Sequence, residues 1–251
     1  MKRVLVTGAS SGIGAASVRA LAKDGWEVIA TARREDRLEA LAAETGARYV
    51  AADLTTDAGV AAIFDYCAKL RGVNALVNNA GGAIGTEAVA DGGLADWRAM
   101  YELNVLGTLA VTQRFLAQLG PAGGDAVFIT STAAHESYPG GAGYTAAKHA
   151  EREIVSTLRL ELVGEPVRLI EIAPGLVHTE EFSLVRFRGD QAKADAVYAG
   201  VDAPLVADDI AEAVRWTLSL PSHVNIDSLV IRPREQANSV LKKRMRADAG
   251  A

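Results

Sequence analysis

Residues 3–14 read RVLVTGASSGIG: an apolar run that passes without interruption into a glycine-rich turn, after which apolar residues recur at helical spacing to about residue 24. Glycines at 8, 12 and 14 allow a tight turn, let the backbone approach a pyrophosphate, and let the helix pack closely on the strand. The helix N-terminus then offers free N–H donors to an anion. The spacing is G-x-x-x-G-x-G rather than the usual G-x-G-x-x-G, and a glycine triplet alone is weak evidence. Its place between a strand and a helix, opening a βαβ unit, gives it weight.

The same alternation continues outward from this stretch. Strands are expected at 27–31, 47–52, 75–79, 126–130, 167–173 and 228–233, and helices at 13–24, 36–44, 58–70, 95–118, 144–163 and 208–219. Alternating strands and helices imply an α/β fold, a parallel sheet with helices on both faces. The strands read as near-continuous apolar runs, as strands covered on both faces do. No repeat and no linker rich in Pro, Gly or Ser divides residues 1–251, so a single domain is expected. One interruption, about 175–206, has weak periodicity. A connection that long after a strand end is expected to be a substrate loop.

Composition narrows the function. The chain has 251 residues, 49% of them hydrophobic, a net charge of −5 and a pI near 5.5. That is ample for a core and argues against nucleic-acid or anionic-membrane partners, which require a basic surface. The C-terminal run Lys242, Lys243, Arg244 and Arg246 is short and reads as a solvated tail. A lone Cys67 excludes an internal disulfide and reads as a packing residue. The N-terminal apolar run breaks at Thr7 and Gly8, too early for a signal peptide, and no 18-residue apolar stretch occurs; a cytoplasmic location is the expectation.

After the second strand comes TARRED, residues 31–36. NAD-binding folds place an acidic residue here for the ribose 2′-hydroxyl, whereas arginine accommodates a 2′-phosphate. Ala32 followed by Arg33 and Arg34 favours NADP(H); the other reading is two exposed arginines. Asp53 and Leu54, after the third strand, are placed to bracket an adenine, and NNAG (78–81) supplies small residues beside the cofactor. All these points fall at C-terminal strand ends. In GYTAAKHAE (143–151), Tyr144 and Lys148 stand one helical turn apart on one face.

TGASSGIG, NNAG, Asn104 in ELNVLGT, Ser131 thirteen residues before Tyr144, YTAAK, and Pro174–Gly175 together resemble the classical short-chain dehydrogenase/reductase family, across essentially the whole chain. The resemblance implies a doubly wound Rossmann-type sheet of seven strands and hydride transfer to or from a nicotinamide. It implies cofactor contacts from Gly8, Ser10, Ser11, Gly12, Ile13 and Gly14, from Arg33, Arg34, Asp53 and Leu54, from Asn79, Ala80 and Gly81, and from Pro174, Gly175, Val177 and Thr179. It also implies a catalytic set of Asn104, Ser131, Tyr144 and Lys148. A free phenol has a pKa of about 10, and a nearby ammonium lowers it, so Lys148 would tune Tyr144 for proton exchange with the substrate oxygen. In the family the equivalent lysine also holds the nicotinamide ribose. Ser131 would hydrogen-bond the same substrate oxygen, and Asn104 resembles the residue of a water relay to the lysine.

Three segments, VIATARREDRL (28–38), PGLVHTEEFSLVRFRGD (174–190) and LPSHVNI (220–226), are similar to one branch, the NADP-dependent 3-hydroxy acid dehydrogenases that also oxidise serine and allo-threonine. That branch implies a homotetramer, with a homodimer as the alternative. A hydroxy acid needs a cation for its carboxylate, and Arg186 and Arg188 lie in the long loop, where solvation is the competing reading. The chain departs from the branch at His178 and Thr179, where two glycines are usual, and at His135 and Glu136 after Ser131. His135 and His178 are therefore expected to reshape the substrate pocket. Four scattered histidines without paired spacing indicate no metal site. Two other functions remain open: a reductase of another aldehyde or ketone, and an NADP(H)-binding regulator without chemistry, against which the intact Ser131, Tyr144 and Lys148 speak.

Overall fold

The structure, a computed structural model, describes residues 2–118 and 123–243; Arg244 and Arg246 of the basic run lie outside the described residues. Strand β1 (Arg3–Thr7) leads through the glycine loop into α1 (Gly12–Lys23). Then follow β2 (Glu27–Ala32), α2 (Glu35–Thr45), β3 (Arg48–Ala51), α3 (Asp57–Lys69) and β4 (Ala75–Asn78). The second half runs through α4 (Leu94–Tyr101), a π-helical segment (Glu102–Gly107), α5 (Thr108–Gln118), β5 (Gly124–Ile129), a 3-10 turn (Thr132–Ala134), α6 (Ala142–Glu161) and β6 (Val167–Pro174). It closes with β7 (Val177–His178), α7 (Phe182–Arg186), α8 (Gln191–Ala196), β8 (Leu205–Val206), α9 (Ala207–Ser219) and β9 (Ser228–Ile231).

Seven strands form one parallel sheet in the order β3-β2-β1-β4-β5-β6-β9. The chain winds outward from β1 to β3, then restarts beside β1 with β4, so the order reverses between β1 and β4. In doubly wound sheets ligands bind at that switch point, beyond the carboxyl ends of the strands.

The period-two alternation of each strand feeds two cores. Val4 and Val6 of β1 pack with Val18 and Leu21 of α1, Leu38 and Leu41 of α2, and Ile210, Val214 and Leu218 of α9. Leu5, between them, faces the opposite side with Ile63 and Phe64 of α3, Val111 and Phe115 of α5, and Val155 of α6. Each fully buried side chain of this kind contributes about 1.5–3 kcal/mol. Cys67 lies wholly inside the second core, the packing role its helical position suggests.

Two expectations are corrected. The single helix expected over 95–118 is interrupted by the π-helical segment around Asn104. Residues 175–206 are not structureless: β7 and β8 pair with each other, and α7 and α8 fill the space between them. Elements of two to six residues are too short to produce a periodic signal. At the C-terminus Lys242 forms an antiparallel bridge with Gln236, so this part of the basic run is tied to the fold.

Candidate active site

The ends of β1 and β4 are clamped together at the switch point. Thr7 Oγ1 accepts from the backbone N–H groups of Asn79 (2.9 Å) and Ala80 (3.0 Å), and Asn79 Nδ2 donates to the carbonyls of Thr7 (2.9 Å) and Gly8 (3.3 Å). Gly8 and Gly12 have φ of +64° and +50°. Gly14, on the first turn of α1, is held against the same point: a Cβ there would lie 2.3 Å from the Gly8 carbonyl oxygen and 2.5 Å from Asn79 Nδ2. Ser11 precedes α1, whose first N–H groups face outward without a side-chain cap, and Ile13 packs onto the first core. This is a backbone cradle sized for an anion rather than for a side chain.

Beside it, Ser10, Ser11 and Arg34 cluster on one patch. Arg34 Nη2 donates to Ser10 Oγ (2.8 Å) and Ser11 Oγ (3.1 Å). The carboxylate of Glu181 sits on these donors: Arg34 reaches its two oxygens at 2.5 and 2.7 Å, and Ser11 Oγ donates at 2.7 Å. Hydrogen bonds from Arg34, then Ser11, hold the Glu181 carboxyl below its usual range. Glu181 is a stand-in anion, and a phosphate makes the same demand on a guanidinium flanked by two hydroxyls. Arg33 is exposed beside Asp53. The Asp53 carboxylate accepts from Thr55 N (2.9 Å) and Oγ1 (2.8 Å), bonds that with Arg33 keep it below the usual carboxylate range. Leu54 is buried in the second core. Across the cradle, Thr179 would touch a Cβ on Gly12 at 3.4 Å. Gly175 N donates to the Ile231 carbonyl (2.7 Å) and Val177 O accepts from the Tyr198 hydroxyl (3.0 Å), which fixes the chain leaving Pro174.

Asn104, Ser131, Tyr144 and Lys148 gather on the other side of the switch point. The first turns of α6 carry Tyr144 and Lys148 inward, 7% and 3% exposed. The Lys148 ammonium stands 6.0 Å from the Tyr144 ring centroid, donates to the Ile129 carbonyl at 3.2 Å, and pairs with Glu151 at 2.6 Å. Asn104, fully buried, exchanges hydrogen bonds with the backbone of Gly82 (3.1 and 2.9 Å) and donates to the Met100 carbonyl (2.7 Å). A Cβ on Gly81 would meet Asn104 Oδ1 at 2.6 Å and Lys148 Nζ at 3.3 Å, so that glycine is what lets these two groups approach one point. The π segment that carries Asn104 breaks the regular ladder at this spot, a frequent feature of functional sites. Ser131 precedes the 3-10 turn and accepts from Ala133 N at 3.1 Å, leaving its own O–H to donate. Burial raises the Tyr144 phenol above its ordinary value, while Lys148 and the Ser131 hydroxyl act in the opposite sense. The expected effect of Lys148 thus has the right sign, but desolvation outweighs it here.

The sequence profile of the short chain dehydrogenase family matches residues 2–186. The chain belongs to that family. It is therefore an oxidoreductase. Among relatives of this short chain dehydrogenase, an uncharacterized oxidoreductase of Mycobacterium tuberculosis is 57% identical over 240 residues, 95% of this chain and 94% of the relative. A serine 3-dehydrogenase of Agrobacterium fabrum is 42% identical over 240 residues, 93% of this chain and 94% of that one. The closed form of a serine dehydrogenase complexed with NADP+ is 37% identical and superposes with a TM-score of 0.89, covering 97% of this chain and 100% of its own.

Of the histidines and arginines expected to shape the substrate pocket of this short chain dehydrogenase, one lies beside Tyr144. The Arg186 guanidinium lies 6.0 Å from the Tyr144 ring centroid, and its donors engage Gly85 O (3.2 Å), Tyr138 Oη (3.0 Å) and Gly140 O (3.2 Å). Arg188 instead pairs with Asp96 (2.8 Å) and Glu87 (3.7 Å). His178 is exposed and packs on the Tyr198 ring at 4.4 Å. His135 Nε2 faces the buried Glu171 at 3.1 Å rather than the cleft. That cleft is lined by Ile84, Trp97, Met100, Gly141 and Tyr144 together with the acidic Glu87 and Asp96. Sequence reasoning missed Glu151 and Glu171, although a glutamate seven residues after Tyr144 on a helix, and another inside an apolar strand, were visible signals. Among the described residues no helix is long and apolar enough to cross a membrane.

Proposed function

We propose that this enzyme is an NADP(H)-dependent dehydrogenase that oxidises a small 3-hydroxy acid or reduces its carbonyl form. The observation that carries the reading is Arg186, a cation 6.0 Å from the ring centroid of Tyr144. A guanidinium has five N–H donors, and with three engaged by Gly85, Tyr138 and Gly140, two remain for a carboxylate. The serine 3-dehydrogenase relative, whose substrate is a 3-hydroxy acid by name, supports the same class.

The nicotinamide, when bound, supplies or accepts the hydride. Gly8, Gly12, Ile13 and Gly14 with the α1 N-terminus would hold the pyrophosphate of the dinucleotide, and Ser10, Ser11, Arg33 and Arg34 its 2′-phosphate. Asp53 and Leu54 would serve the adenine, Asn79, Ala80 and Gly81 the adjoining sugar, and Pro174, Gly175, Val177 and Thr179 the nicotinamide end. Tyr144 exchanges a proton with the substrate oxygen, Ser131 donates a hydrogen bond to that oxygen, and Lys148 stabilises the phenolate. Asn104 anchors the loop against which Lys148 rests.

Two outcomes test this. Arg33→Ala with Arg34→Ala is expected to raise the dissociation constant for NADPH by about 100-fold, because each charged hydrogen bond is worth ~1.5–3 kcal/mol, and that for NADH by only a few-fold. Fluorescence titration with both cofactors reads this, and equal losses would refute the assignment of the 2′-phosphate. Arg186→Ala is expected to raise KM for a 3-hydroxy acid at least tenfold and change kcat/KM for an uncharged alcohol little.

One observation favours a second reading. The three bonds of Arg186 tie α7 to the loops at Gly85 and Gly140, as a strut would, and an uncharged aldehyde or ketone needs no cation. A plate assay of 3-hydroxy acids, amino acids and alcohols with NADP+ and NAD+, and of carbonyls in reverse, separates the two. Turnover confined to uncharged carbonyls would displace the hydroxy acid. The exposed Tyr101 and Leu106 on the α4 to α5 helix and Leu160 and Val163 at the end of α6 suit self-association into a homotetramer or homodimer. Light scattering behind size exclusion would return a single-chain mass if that is wrong.

A further inference from the structure

Three residues beyond Lys148, α6 turns a carboxylic acid into the same dry interior. Glu151 is 1% exposed, and its neighbours on this face, Tyr144, Lys148 and Val155, are buried with it. A carboxylate in such a place is tolerated only with a partner, and the structure provides the Lys148 ammonium at 2.6 Å. The charged groups packed around the pair come from three elements. Tyr144 and Arg152 belong to α6 itself, Glu171 comes from β6, and His135 ends the 3-10 turn. Glu171 has donors of its own: Thr130 Oγ1 at 2.8 Å, His135 at 3.1 Å, and the Arg152 guanidinium at 3.8 Å. Glu151 is left to Lys148.

We infer that Glu151 is a positioning residue of this active site: paired with Lys148, it keeps the ammonium charged and in place and sets the pH at which Tyr144 exchanges its proton. The inference rests on the proposed roles of Tyr144 and Lys148. An isolated ammonium in a dry pocket tends to lose its proton, and a carboxylate against it prevents that. The direct influence of this carboxylate on the phenol opposes that of the cation but is the weaker of the two. Ionised Glu151 therefore keeps Lys148 able to lower the Tyr144 phenol, and a neutral side chain in its place lets the ammonium lose its proton and the phenol rise. Burial, only partly offset by Lys148, pushes the Glu151 carboxyl up to about 7, so this choice is made near neutral pH.

The sign is testable in the pH dependence of kcat for alcohol oxidation, whose ascending limb reports loss of the Tyr144 proton. Glu151→Gln keeps the shape and removes the charge, and the limb is expected to move about one pH unit higher, because Lys148 loses the partner that keeps it charged. Glu151→Ala, in which water can replace the carboxylate, is a second neutral variant with the same expectation. Glu151→Asp retains the charge and is expected to keep the limb within about 0.3 units of the parent. KM for substrate is expected to change less than threefold in the Gln variant, since Glu151 does not line the cleft, whereas a merely structural lesion would lower Tm and leave the limb where it is. A limb that stays or moves downward in the neutral variants, or that moves equally in the Asp variant, overturns the inference. If Tyr144→Phe is inactive and the limb does not move, this inference alone fails; if Tyr144→Phe retains turnover, the assigned role of Tyr144 and this inference fail together.

Discussion

Tyr144→Phe is expected to lower kcat by about 10²- to 10⁴-fold, the range that a positioned general acid or base contributes. The ring is 7% exposed and packs edge-on against Phe182 at 5.7 Å, within a cluster that includes Met100 and Ala83. Phenylalanine preserves that packing, so stability should change by no more than about 1 kcal/mol. What disappears is the hydroxyl proposed to exchange a proton with the substrate oxygen. Steady-state kinetics, a thermal melt and cofactor titration on the same preparation check the three parts. Turnover near the parent level in a folded variant would mean that another group carries the proton. Loss of cofactor affinity would mean that the hydroxyl serves binding rather than chemistry.

Gly14→Ala has the second largest expected effect, although it adds a single methyl group. The added carbon would lie 2.3 Å from a backbone oxygen, that of Gly8, and 2.5 Å from Asn79 Nδ2, itself bound to Thr7 and Gly8. Neither neighbour can rotate away. Either α1 shifts off β1 or the Asn79 clamp opens, and both change the cradle at the switch point. Overpacking of this kind costs about 1–3 kcal/mol, which for a chain of this size lowers Tm by roughly 5–10 °C. The dissociation constant for NADP(H) should rise at least tenfold, about 1.4 kcal/mol. Calorimetry and fluorescence titration read both. A variant that melts and binds like its parent would show that close helix-to-strand contact is not what requires glycine at this position.

Much of this was legible along the chain, for reasons that differ from segment to segment. The seven sheet strands were visible because they are covered on both faces and so read as apolar runs; β3 at the edge, half covered, was the least distinct and is shorter than expected, Arg48–Ala51. The glycine loop, Arg33 and Arg34, and the pair Tyr144 and Lys148 were found because their spacing is dictated by one turn or one helical repeat. The π segment at Asn104 was not visible, because a change in hydrogen-bond register leaves no mark on apolar spacing. The order in the loop after β6 was missed because its elements are too short to repeat.

The sequence by itself determined the fold class and the family, and it supplied the residues proposed for cofactor binding and catalysis, since each depends on residues close together in the chain or at strand ends that the alternation of elements brings into line. Tertiary structure alone decided which cation faces Tyr144. Arg186 and Arg188 are two residues apart and chemically equal, yet one points at Tyr144 and the other turns out to Asp96 and Glu87. It also decided that His135 and His178 leave the cleft, and that Glu181 closes on Arg34 from 147 residues away. Above all it set the surroundings of Tyr144 and Lys148. Whether Lys148 lowers the Tyr144 phenol depends on how dry the site is and on where Glu151 directs the ammonium, and solvent exclusion is a property of the packed whole rather than of any segment.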